Sequence, residues 1–190
     1  MIRVNRLLLF LLSICLELCY GQNQPIDTVK NIEILGRLMV LDSFEHSMQA
    51  ESELIAQLQQ DSSQLLPYYS LGLLNFKNKS FAKALQYTNA GLSKATSGID
   101  SLRFTMLKSE ILLSMKLPED AIQCFTCITV QDYPLFVSYY HYLIGRCYFQ
   151  MKDIEQSRNH FTLLNQDIRY SKLAAAYLEK LERSNFNENQ

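Results

Sequence analysis

The 190-residue chain has no tryptophan, 6 glycines, 4 prolines and 3 histidines. So few backbone breakers exclude a fold of many tight turns and favour long helices. Lysine plus arginine (18) nearly balance aspartate plus glutamate (19), leaving a formal charge of −1. There is thus no basic field to recruit nucleic acid and no acidic tail. No nucleophile elbow, phosphate loop, zinc-protease motif or calcium loop is present, so neither an enzyme nor a cofactor is expected. What remains is 48% hydrophobic and 19% charged. That suits one ordinary folded domain and is too apolar for a disordered chain.

The first residues stand apart. Arg3 and Arg6 precede the apolar stretch 7–16, and small residues follow at Cys19 and Gly21 before polar Gln22-Asn23-Gln24. A positive head, a short apolar run and small residues at −3 and −1 describe a secretory signal peptide over 1–21. The run is too short to span a bilayer comfortably. The alternatives are an uncleaved anchor and lipidation at Cys19, the latter disfavoured by bulky Leu18 before it. Cleavage removes Arg3, Arg6 and Glu17, taking the formal charge from −1 to −2. No other segment is apolar and long enough to cross a membrane. The expected location is a bacterial periplasm or cell envelope, an oxidising compartment.

Residues 22–27 form a flexible lead-in. From 28 to 43, Ile32, Leu35, Leu38, Met39 and Leu41 recur at helical spacing. A second helix is expected over 47–60, with Leu54, Ile55 and Leu58 on one face. The next pair starts near Leu65, turns at Asn78-Lys79-Ser80 and ends before the loop Lys94-Ala95-Thr96-Ser97-Gly98. A third pair begins at Asp100 or Ser101 and turns at Lys116-Leu117-Pro118, where Pro118 suits the first helical position. Its second helix should end before Tyr133-Pro134. A fourth runs through 139–151 and turns at Lys152-Asp153, with Asp153 and Gln156 forming a capping-box variant. A last helix over 168–183 should bury Leu173, Tyr177, Leu178 and Leu181. The tail 184–190 is expected to be disordered.

A small residue recurs in register at Ala50, Ala84, Ala121 and Ser157, in steps of 34, 37 and 36 residues. Aligning 31–64, 65–98, 102–135 and 138–171 puts these at position 20. Position 8 holds Leu38, Gly72, Ser109 and Gly145; position 24 holds Leu54, Thr88, Phe125 and Phe161. Three of the four residues at position 8, Leu38 excepted, and all at position 20 are small, which lets two helices cross closely, while position 24 is core. Segments such as Leu71-Gly72, the run 78–85, and Ile144-Gly145-Arg146-Cys147-Tyr148 resemble the tetratricopeptide repeat family. The resemblance covers 65–171 well and 31–64 only through Ala50 and periodicity. It departs from the family pattern in its stretched spacing and in Thr88, where an aromatic is usual.

The resemblance implies an all-α fold: a right-handed superhelical stack of antiparallel helix pairs with a C-terminal capping helix. It also implies a concave face lined by the first helix of each pair. Carried over by position, that face holds Tyr69, Leu73, Phe76 and Lys77; then Arg103, Met106, Glu110 and Leu113; then Tyr139, Tyr142, Arg146 and Phe149. Such a groove would take a peptide or helix with hydrophobic anchors. The competing reading is that these side chains are internal packing. The carboxylate clamp of one repeat subclass is absent, its positions holding Tyr69, Leu73, Leu107, Tyr139 and Leu143.

Other constellations are weaker. Cys124 and Cys127 form a C-x-x-C expected mid-helix, where packing is the simpler role than metal or redox chemistry. Together with Cys147 they make three thiols after the leader, an odd number. His46, His141 and His160 are scattered, and a structural role suits them. The expectation is a non-enzymatic scaffold for a protein or peptide partner. Its rivals are a self-associating envelope component and an input module of a signalling system.

Overall fold

The computed structural model describes the backbone of residues 44–188 and the side chains of 48–183. The leader 1–21, the lead-in 22–27, the helix expected over 28–43, and His46 lie outside the residues whose side chains are described. Among the described residues there are eight α-helices, one short 3₁₀ turn and no strand. They are α1 (Phe44–Gln60), α2 (Leu65–Lys77), α3 (Phe81–Lys94), α4 (Gly98–Ser114), α5 (Pro118–Gln123), α6 (Pro134–Met151), α7 (Ile154–Thr162) and α8 (Ser171–Glu188), with the 3₁₀ turn Val130–Asp132 between α5 and α6. The chain divides into two compact units between Tyr87 and Thr88, inside α3.

In the first unit α1 packs on α2. Ala50, Leu54 and Leu71 are its buried apolar centre, flanked by Ile55, Leu58 and Tyr87. Asp61 opens the link between the helices by accepting hydrogen bonds from the Ser63 backbone N–H (2.9 Å) and hydroxyl (2.6 Å). That is the local bonding by which an aspartate favours a turn over continued helix.

In the second unit α4 is buried almost throughout, from Leu102 to Leu107 and from Ser109 to Leu113. Its buried face includes the polar side chains Arg103, Thr105, Ser109 and Glu110 as well as apolar ones. It packs on α5 and α6, α6 packs on α7, and α7 on α8. The start of α4, at Gly98, is two or three residues earlier than the sequence pattern suggests. Ser97 caps it, its hydroxyl oxygen accepting the Asp100 N–H at 3.1 Å. Pro118 does occupy the first turn of α5, and Asp153 caps α7 by accepting the Gln156 N–H at 3.0 Å.

The second helix of the third pair is much shorter than expected. It stops at Gln123, and the bonding tightens to three-residue steps: Phe125 N–H to Ile122 O, Thr126 N–H to Gln123 O, Ile128 N–H to Phe125 O. The Thr126 hydroxyl competes for the same Gln123 carbonyl at 3.0 Å. Thr126, Ile128, Thr129 and Val130 are β-branched and poor at sustaining a helix. Cys124 and Cys127 therefore sit just past the helix end. At the C-terminus α8 begins at Ser171 and stays helical through Glu188, past the expected end at 183.

Three turns between helices share one conformation. Lys79, Lys116 and Lys152 have φ of 58°, 67° and 63°, and they are the only non-glycine residues with positive φ among those described. Each is followed by a backbone N–H reaching the carbonyl five residues back: Ser80 to Asn75, Leu117 to Leu112, Asp153 to Tyr148. Each lysine N–H also bonds the carbonyl three residues back. This is the Schellman closure of a helix, built on a left-handed residue. The lysines are 37 and 36 residues apart, in phase with Ala84, Ala121 and Ser157.

The crossing points follow the same phase. Ala84, Ala121 and Ser157 are fully buried, as are the position-24 side chains Leu54, Thr88 and Phe161, with Phe125 nearly so. The Ser109 hydroxyl donates to the Ala121 carbonyl at 3.1 Å, from position 8 to position 20. In the next hairpin the direction reverses: the Ser157 hydroxyl donates to the Gly145 carbonyl at 3.0 Å, from 20 to 8. At both crossings the hydroxyl belongs to a fully buried serine and satisfies its bonding within the hairpin. At Gly145 a Cβ would lie 2.9–3.1 Å from the Phe161 ring.

Candidate functional site

The twelve groove residues fall into three groups. Tyr69, Arg103, Met106, Glu110, Leu113, Tyr139 and Tyr142 are buried. Leu73, Phe76, Arg146 and Phe149 are half-buried, and Lys77 is exposed. Tyr69, Leu73, Phe76 and Lys77 lie on α2 in the first unit, where Phe76 meets Phe81 of α3 at 6.1 Å between ring centroids. The other eight lie on α4 and α6 in the second unit, where Glu110, Tyr139, Tyr142 and Arg146 form a network.

Its centre is Glu110, only 4% exposed. Arg146 donates to one of its oxygens at 2.6 Å, and the Tyr139 hydroxyl donates to the other at 3.2 Å. The Arg146 guanidinium also lies over the Tyr142 ring, 5.3 Å from its centroid. A buried carboxylate needs such partners, because an unpaired one would shed its charge. Burial opposes the Arg146 charge as well, but Glu110 outweighs it and holds the guanidinium above its ordinary range. At the edge of the network Arg103 pairs with Asp100 at 3.0 Å and faces the Phe136 ring at 6.0 Å.

The segment after α7 closes over this face. Tyr170 stacks on Tyr139 (6.0 Å) and meets Tyr142 (5.3 Å). Tyr177 of α8 stacks on Phe161 (4.6 Å) and meets Phe149 edge-on (5.1 Å). Burial pushes the Tyr142 phenol up to about 12, against the pull of Arg146, and raises Tyr170 as well. Asp167 fixes the closing segment. Burial works against its charge, yet hydrogen bonds from Ser138 and from the backbone of Arg169 and Tyr170 hold its carboxyl below the usual range. Ala174 and Leu181 of α8 are fully buried, while Leu173, expected inside, is 39% exposed.

A second cluster lies between α6 and α7, built from histidines that look scattered in sequence. The Nδ1 atoms of His141 and His160 are 3.1 Å apart. Tyr140 meets both imidazoles (5.2 and 6.3 Å), and Tyr148 lies against His160 at 5.7 Å. Burial lowers both imidazoles, and His160, which also feels His141, falls to about 4. The signal that finds this pair is the crossing register. If position 8 meets position 20 in an antiparallel hairpin, position 4 (His141) must meet position 23 or 24 (His160 is 23).

The three described thiols are free. Cys147 is buried, and burial pushes its thiol up to about 12. Cys124 is half-buried and also raised by burial, its Sγ donating to the Asp120 carbonyl at 3.3 Å. Cys127 is exposed. A pair at the C-terminal end of a helix lacks the positive field that activates redox thiols. Among the described residues no helix is long and apolar enough to cross a membrane. In comparisons with known proteins, no family model matches the chain, and neither a curated protein nor a solved structure matches it significantly.

Proposed function

We propose that this chain is a non-enzymatic scaffold of tetratricopeptide type that holds a segment of a partner protein. One observation carries the reading. The left-handed lysine turns recur in phase with the buried small residues, so the same hairpin is built repeatedly at a spacing of 36–37 residues. Repeated hairpins of this length form open stacks whose long surfaces suit binding. In this reading the stack is superhelical, α8 caps it, and export by the 1–21 leader places it in an envelope compartment.

The partner-facing surface is narrower than the twelve positions imply. The α4 and α6 positions are largely spent on the Glu110 network and on packing against Tyr170 and Tyr177. Leu73 and Phe76 on α2 keep partial exposure and are the anchors assigned to the partner. The matching ligand is a peptide or helix with two or three apolar side chains at helical spacing.

The test is affinity capture from envelope extract with the tagged full chain, beside a Leu73→Asp/Phe76→Ala variant whose helicity is verified by circular dichroism. Capture by the first and loss by a folded second supports the reading. Equal capture by both, or capture of nothing, overturns it. Self-association is the second reading, favoured by the exposure of Leu135, Leu163 and Ile168 (59%, 65% and 99%). It predicts an elution volume that falls with rising concentration.

A further inference from the structure

We propose that His141 and His160 form a two-nitrogen chelate for a late first-row divalent ion, Cu²⁺ or Zn²⁺, with water completing its coordination. The two Nδ1 atoms face each other at 3.1 Å. Metal–imidazole bonds of about 2.0–2.1 Å from both nitrogens would subtend an angle of about 100°, between the square and tetrahedral ideals. Without an ion the pair is satisfied only if one ring donates from Nδ1 and the other accepts there. An ion takes both lone pairs at once.

The ligands are held, not floppy. They project from a hairpin fixed by the Ser157 hydroxyl on the Gly145 carbonyl and by Phe161 packed against Gly145. Tyr140 and Tyr148 wall the imidazoles and set their planes. Both histidines keep partial exposure, which leaves room for water. Among the described residues no cluster of three or more His, Cys, Asp or Glu side chains is gathered. The site is therefore an open two-ligand chelate, not a closed structural centre. Imidazole ligands favour Cu²⁺ over Zn²⁺ by the usual affinity order.

The full chain, stripped of metal, is titrated with Cu²⁺ and separately with Zn²⁺ by calorimetry, beside His141→Gln, His160→Gln and His46→Gln. The wild type and His46→Gln should bind one equivalent. Each of the other two should bind at least about tenfold more weakly, one of two nitrogen ligands being lost. Electron paramagnetic resonance of the wild type with Cu²⁺ counts coordinating nitrogens independently of whether any variant folds. Two imidazole nitrogens support the site. Fewer than two, no binding, or unchanged affinity in folded His141→Gln and His160→Gln overturns it.

Discussion

Arg146 Nη1 stands 2.6 Å from Glu110 Oε1, and the two residues are 36 positions apart, one repeat length. Both occupy the ninth position of their units. The same place in successive hairpins thus carries opposite charges, joined across α4 and α6. Gln150 adds a second cross-link by donating to the Leu113 carbonyl at 3.1 Å. Breaking a buried pair by removing one partner costs about 3–5 kcal/mol, whereas replacing both with apolar side chains of similar volume is close to neutral. Glu110→Met alone and Arg146→Met alone should each lower the thermal midpoint sharply. The double substitution should recover most of the loss. Denaturant titrations of the four proteins form the cycle, and additive single effects would show that the pair is not coupled.

Gly145 and Phe161 make a second cycle. A methyl at 145 meets a ring that is fully buried and pinned by its stack on Tyr177. Overpacking of this kind costs about 1–3 kcal/mol, against about 1 kcal/mol gained when alanine replaces glycine within a helix. Gly145→Ala should therefore destabilise by about 1 kcal/mol. In a Phe161→Leu background the clash is relieved, and the same alanine should stabilise. Thermal melts of the two pairs decide it by the sign of the change.

Much of this frame is legible in the sequence because its constraints are local and repeated. Small residues at 8 and 20, Pro118, and the Asp153 cap each carry their own steric or hydrogen-bonding reason. The phase repeats them until chance is a poor account. The shortening of α5 is harder to see, since it rests on a contest between modest propensities and one threonine hydroxyl. The covering of Tyr139 and Tyr142 is left open between groove and internal packing. It depends on where Tyr170 and Tyr177 land, and an apolar stripe on a helix looks the same whether a partner or the chain itself covers it. The histidine pair lies between these cases: invisible in spacing, but derivable once position 8 is known to face position 20.

The buried phenols predict an alkaline limit to stability. Tyr142 titrates near 12 in the folded chain and near 10.0 when exposed, and Tyr170 is shifted the same way. A group whose folded value is raised contributes stability that is complete below the unfolded value and lost as pH climbs through the folded one. The phenol window is therefore pH 10 to 12, and the Cys147 thiol, raised from 9.0 to about 12, opens the loss about one pH unit lower. Helical ellipticity should hold to about pH 9 and then fall, most steeply above pH 10, with a late step in tyrosinate absorbance coinciding with unfolding. Tyr142→Phe should make the stability–pH curve shallower above pH 10. An unchanged slope would mean that this phenol is not shielded.

The left-handed lysines offer the most direct test of the repeat itself. Lys116 holds φ 67° with its side chain in solvent, so the residue gains nothing visible from its Cβ. A left-handed conformation costs an L-residue about 1–2 kcal/mol, and glycine escapes it at the expense of greater freedom in the unfolded chain. Lys116→Gly should stabilise by about 0.5–1 kcal/mol. Lys116→Val, β-branched, should destabilise, because its side chain crowds the same backbone. Lys79→Gly and Lys152→Gly should behave like Lys116→Gly, since their turns close through the same two backbone bonds. Chemical denaturation of the three glycine variants and their combination measures this. Gains that add across the three would mark three equivalent turns. A glycine that destabilises at any one of them would show that its turn is held by the lysine side chain and not by the left-handed backbone.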